Sequence, residues 1–228
     1  MAQSGVFRKR MYVLAAALAC TVVASVVPAA GQLVPAPGRL LHGHDPATVF
    51  NLHPNPKFLA CITNPNDAEA PEARVRVVPG ELNDTLILTL DHFKPGLAFD
   101  LFTVQRSNLL ADGTVDHTFT NFGLAWYQSD VQVNDSGEVQ VAIRTILLNQ
   151  IFGFDPDVTL PPTNTFHVGF WFNDPADAAA CGFNGFTPFN GDHHAGPLAM
   201  ISVPDPVTNL GPLCTNPDAS TTPATCNP

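Results

Sequence analysis

The residues with the most chemistry in prospect are histidines. The stretch TPFNGDHHAGP, residues 187–197, sets Asp192, His193 and His194 in a loop punctuated by Pro188, Gly191, Gly196 and Pro197. Successive loop residues cannot all point one way, so one of His193 and His194 could bind a metal and would need partners from elsewhere. The stretch LHGHD offers them, because His42 and His44 are two apart and share a face in extended backbone. Such a set of imidazoles would suit copper or zinc. His167, in FHVGF, shares a strand face with Gly169 and Trp171. The competing reading is a tight turn in which Phe189 tucks in and the polar groups satisfy backbone. The turn is the first expectation, with no cofactor; the metal site is the second.

Other chemistry is less well supplied. No Gly-x-Ser-x-Gly element occurs, and Ser107, Ser129, Ser136 and Ser202 lie in strand or turn contexts. Carboxylates are many enough for glycoside chemistry, which uses two of them. Asp100 stands between apolar neighbours, so if buried it must be paired, hydrogen-bonded or protonated. A structural ion pair with Arg76, Arg106 or Arg144 is the expectation. Trp126, Tyr127 and Trp171 could stack on sugar rings, with Tyr127 and Trp171 as the ligand-binding candidates. Both tryptophans sit in Phe-rich strands, and the core is the favoured place for them.

The N-terminus decides where this chemistry would operate. Arg8, Lys9 and Arg10 precede the apolar run Met11–Val27; Pro28 and the small residues Ala29, Ala30 and Gly31 follow. That is the order of a secretory signal over residues 1–31. A membrane anchor ranks second, since the run is short for a span, and a lipid on Cys20 ranks third. The chain carries 10 basic and 20 acidic residues, a net charge of −10, and three of the basic ones leave with the signal. Such a surface repels nucleic acid and anionic lipid. The expected partner is a protein or glycan, with no membrane contact after signal removal. Cys61, Cys181, Cys214 and Cys226 then remain, an even number in an oxidising compartment. Three pairings are possible. The short spacing within the tail favours Cys214 with Cys226, leaving Cys61 with Cys181.

The elements that must position these residues read as strands. ARVRVV and DTLILTLD alternate apolar and polar residues, and LAFDLFTVQ is apolar on both faces. Lys94-Pro95-Gly96 reads as a tight turn. VQVNDSGEVQVAI reads as a hairpin around Asn134–Gly137, with FGLAWYQ before it and FHVGFWF and PLAMISV after it. DPADAAAC suggests one helical turn, with Asp174 as cap and Pro175 first inside. Residues 32–56 read as an extended arm, 57–203 as the domain and 204–228 as a Pro-rich tail.

FGLAWYQSDVQV, GFWFNDPADAAACG and TPFNGDHHAGPLAMIS, in that order, resemble a group of exported bacterial proteins of unknown function, over roughly residues 84–213. The resemblance implies one compact β domain with TPFNGDHHAG as its hallmark loop, and no catalytic role. The expected fold is all-β, an antiparallel β-sandwich, Ig-like or jelly-roll-like, of about eight to ten strands with long loops and irregular terminal arms. The expected role is a secreted, non-catalytic module that binds a surface component or partner. A metal-binding protein or metalloenzyme and a carbohydrate-binding or carbohydrate-active protein are the alternatives. Converging imidazoles would favour the first alternative, and an exposed aromatic platform beside paired carboxylates the second.

Overall fold

Alternation becomes structure because every second residue has an apolar core to reach. The computed structural model describes residues 47–147, 165–185, 187, 195–214 and 216–227, all within the unit His42–Pro228. The strands are β1 Thr48–Pro54, β2 Glu72–Val78, β3 Asp84–Asp91, β4 Ala98–Val104, β5 Ala125–Gln132, β6 Val139–Thr145, β7 His167–Phe172, β8 Leu198–Ile201, β9 Pro217–Asp218 and β10 Thr225–Cys226. One helical turn, α1 Leu59–Ile62, and a 3-10 helix, Pro175–Cys181, complete the set. In β2, Ala73, Val75 and Val77 are buried while Glu72, Arg74 and Arg76 face solvent. In β7 all six residues are buried, as a strand covered on both faces requires.

Eight strands form one antiparallel, nearly closed sheet in the order β5-β4-β7-β8-β1-β2-β3-β6. β1 is the joint. Its Thr48–Leu52 pair with β2, and its His53 and Pro54 pair with β8. The sheet thereby folds into two halves, β1-β2-β3-β6 and β5-β4-β7-β8, whose inner faces share one core. Val75, Leu86, Leu88 and Leu90 come from the first half, and Phe99, Leu101, Val168, Phe170 and Phe172 from the second. Phe99 and Phe170 meet with ring centroids 4.7 Å apart. The small β9–β10 pair stands apart in the tail.

Three segments differ from their sequence reading. The expected arm at 32–56 contains β1, in the middle of the sheet; residues 32–46 lie outside the described residues. The expected hairpin around Asn134–Gly137 keeps its turn, with Gly137 N–H donating to Asn134 O at 3.1 Å. Its arms separate, however: β5 pairs with β4, and β6 with β3. The turn is a corner between the halves, fixed by Phe93 N–H donating to Gly137 O at 3.0 Å. Gly137 takes φ +84, and a Cβ there would collide with Phe93 O. The tail at 204–228 is not loose at its start, because Leu213 is buried and bridges Phe166.

The DPADAAAC turn forms as read. Asp174 caps it by accepting from Ala176 N–H at 2.8 Å, and Gly182 closes it in the left-handed conformation. Both disulfides form as read, Cys61–Cys181 and Cys214–Cys226. The first ties α1, which follows β1, to the 3-10 helix, which follows β7.

Candidate functional site

The two halves treat their outer faces differently. On the second half, the β4–β5 connection, residues 105–124, folds back over the sheet. It lays Leu109 and Phe122 over Val104, Trp171, Leu198 and Ile201 to make a second, smaller core. The loop is braced by its own polar groups. Gln105 and Leu124 exchange backbone and side-chain bonds, and Asp112 and Asp116 accept from Thr114 and Thr118. Trp171 is only 1 % exposed. Phe102 and Phe122 meet it edge-on at centroid distances of 5.3 and 5.2 Å. The Trp171 ring is therefore core and forms no exposed platform for a sugar.

Tyr127 lies on the same face, at its open margin, and is 53 % exposed. A bulge in β5 puts it there. Phe102 pairs with Tyr127 and Leu101 with Ser129, so Gln128 is an extra residue. In a regular strand, residues three apart point to opposite faces. Here the extra residue returns Asp130 to the face of Tyr127, and the Tyr127 hydroxyl donates to Asp130 Oδ1 at 2.7 Å. Partial burial, then the bond to Asp130, push the phenol up to about 12, so it stays a donor at any physiological pH. Asp130 is the register partner of Asp100 on β4, which sets two carboxylates side by side. Asp100 is buried and accepts from Asn173 Nδ2 at 2.8 Å. Of the arginines considered for it, Arg76 and Arg144 stand on the outer face of the other half. The patch can stack a ring on Tyr127 and accept hydroxyl protons at Asp130.

The other titratable groups are engaged in structure. His167 is fully buried, with Nδ1 3.0 Å from Ser202 Oγ and 3.1 Å from Ser202 O. Ser202 Oγ also accepts from Val168 N–H at 3.2 Å. Burial holds the imidazole down at about 4, so it is neutral at pH 7. Serine and histidine meet here inside a packed core, not at a surface a substrate could reach. His92, which the sequence reading passed over, sits on the surface at φ +65. Its Nδ1 is 2.9 Å from Asp67 Oδ2 and its Nε2 3.1 Å from Glu69 Oε2. The bond to Asp67 raises the His92 pKa above its ordinary value. His42, His44, His193 and His194, the copper or zinc candidates, lie outside the described residues. Among the described residues no group of three histidines, cysteines or carboxylates is placed to hold a metal ion.

Among the described residues, the outer face of the first half has no such cover. Arg74 and Arg76 on β2 and Arg144 on β6 are exposed there. Thr85, Ile87 and Thr89 of β3 lie between them.

No known family, no curated protein and no solved structure matches the chain.

Proposed function

We propose that the protein is a secreted, non-catalytic binding module that recognises a glycan of its surroundings through Tyr127. The observation that carries the reading is the exposed Tyr127 ring beside the in-register carboxylates Asp130 and Asp100. Pyranose rings present a C–H face to an aromatic ring and hydroxyl groups to acceptors at its rim. Phe102 backs Tyr127 edge-on at 5.6 Å, and the bulge fixes the strand beneath it, so little side-chain freedom is lost on binding. A binding role is favoured over a catalytic one because Asp100 is buried against Asn173, leaving one carboxylate exposed where hydrolysis needs two. Export is supported by the basic patch, apolar run and small residues at the N-terminus, together with two disulfides.

A screen of the folded protein against neutral oligosaccharides tests the site. Tyr127→Ala should weaken any hit by about tenfold or more, as removal of a central aromatic anchor does. Tyr127→Phe keeps the ring and should retain most of the binding. Binding that survives Tyr127→Ala, or an absence of hits, would overturn the reading. Intact mass of the exported protein tests the processing, with a mature chain starting near residue 32 expected.

A further inference from the structure

We infer that the open face of the first half is a second, independent interaction surface, shaped for a linear acidic polysaccharide. Six basic residues fall among the described residues, and three of them, Arg74, Arg76 and Arg144, stand on this one face. None of the three is in a salt bridge within the described residues; the ion pairs found there belong to His92. In a chain with a net charge of −10, acidic groups to neutralise them are plentiful, so arginines gathered on one face with no ion-pair partner among the described residues point outward to a partner.

The register fixes their layout. Arg76 sits in the row of Ile87 and Ala142, Arg74 in the row of Thr89 and Gln140, and Arg144 in the row of Thr85 and Val78. Strand geometry places Arg74 and Arg76 about 7 Å apart, and Arg76 and Arg144 about 12 Å apart across β3. The path between them runs over Thr85 and Thr89, whose hydroxyls can donate and accept. Guanidinium groups grip planar carboxylates with two parallel hydrogen bonds. A chain with a carboxylate every one or two sugars, and hydroxyls between, fits both the spacing and the chemistry.

Other polyanions fit less well. Among the described residues, β2, β3 and β6 present no aromatic ring on this face on which a base could stack. The next row is acidic, with Glu72 paired to Asp91 and Glu138 preceding β6, and it would be pressed against any broad anionic surface. A narrow chain crossing β2, β3 and β6 at the arginine end avoids that row. A protein partner would want a buried aromatic or large apolar anchor, and the apolar residues of this face among the described ones are the small or β-branched Val49, Ile87 and Ala142, with Arg76 set among them.

Calorimetric titration of the full chain with oligogalacturonate at low salt tests the assignment, with neutral dextran oligomers, double-stranded DNA and phosphatidylglycerol vesicles as the other arms. The expected result is binding of oligogalacturonate alone, weakening as salt rises. The R74Q/R76Q/R144Q variant should lose more than about tenfold in affinity, the equivalent of one charge-assisted hydrogen bond or more. R76K/R144K, which keeps charge and removes the two-pronged grip, should bind with intermediate affinity and shows that fold is retained. Tyr127→Ala should leave this binding unchanged, which separates failure here from failure of the Tyr127 site. Absence of oligogalacturonate binding, equal affinity in the glutamine variant, or equal arginine-dependent binding of DNA or vesicles would each overturn the assignment.

Discussion

The first and second halves of the sheet share an inner core and differ on their outer sides. Over β4 and β7 the connection 105–124 builds another layer, and residues there are apolar outward as well as inward: Phe102, Val104, Trp171, Ile201. Over β2, β3 and β6 no described residue builds a second core, and the outward positions are mostly polar: Arg74, Arg76, Arg144, Thr85, Thr89 and Gln140, with Ile87 and Ala142 between them and Glu72 and Asp91 at one end. The same strand geometry thus yields two surfaces of opposite chemistry, one of them sealed beneath the 105–124 connection. Gly169 belongs to this contrast. A side chain there would come to 3.0 Å from both Ile201 Cγ1 and Met200 O, so the covered face packs most closely around this glycine and a larger residue would have to push β8 aside by a few tenths of an ångström.

The sharpest way to break the comparison is to cut the crosslink that ties the halves together. The Cys61–Cys181 bridge closes a loop of sequence separation 120, against 12 for Cys214–Cys226. Chain-entropy reasoning gives about 4–5 kcal/mol for the long loop and about 3 for the short one. Urea unfolding of C61S/C181S should lose the larger amount, and C214S/C226S should affect the tail with less effect on the midpoint. Next, the layer itself can be hollowed. Trp171→Ala should cost about 3–5 kcal/mol as a core cavity does, while Ile87→Ala on the open face should cost less than about 1. Equal effects in the two variants would erase the distinction between the faces.

Acid sharpens the contrast further. His167 lies beneath the covered side and protonates at about 4 when folded, against an ordinary value of 6.5. Between these values the unfolded chain takes up a proton that the folded chain refuses. Stability is therefore complete above about pH 6.5 and declines on the way down to about pH 4, by on the order of 3 kcal/mol. His167→Gln should flatten that decline in thermal melts recorded across the window. His92 works with the opposite sign. Its raised pKa makes its contribution complete below about 6.5 and lost as the pH rises through the folded value. The smallest effect belongs to the open face, where R74Q/R76Q/R144Q should move the unfolding midpoint by no more than about 0.5 kcal/mol per site.

Much of this could be read from the chain, for physical reasons. Alternation reports burial directly, so β2, β3 and β4 were legible, and Asp174-Pro175 announced a helical turn because capping is local. The corner at Asn134–Gly137 was misread because turn chemistry specifies the turn and not the destinations of its arms; those depend on Val131 and Val133 entering the common core. β1 was missed because Asn51, His53 and Pro54 mask a strand whose support comes from β2 and β8. Tyr127 was legible as an aromatic near the surface. Its partner Asp130 was not, since only the bulge at Gln128 brings residues three apart to one face. His92, 25 residues from Asp67, left no local signal at all.

If the chain is exported and processed as proposed, the two bridges have a consequence for how it matures. Past residue 31 the cysteines come in the order 61, 181, 214, 226, and the native partners are first with second and third with fourth. A polypeptide threaded N-terminus first through a membrane exposes them in that order. An oxidant that joins each free thiol to the next one to emerge makes both native bridges without error. Such a chain has no need of a reshuffling catalyst, and the wait between its first and second thiols is the time taken to deliver β2 through β7.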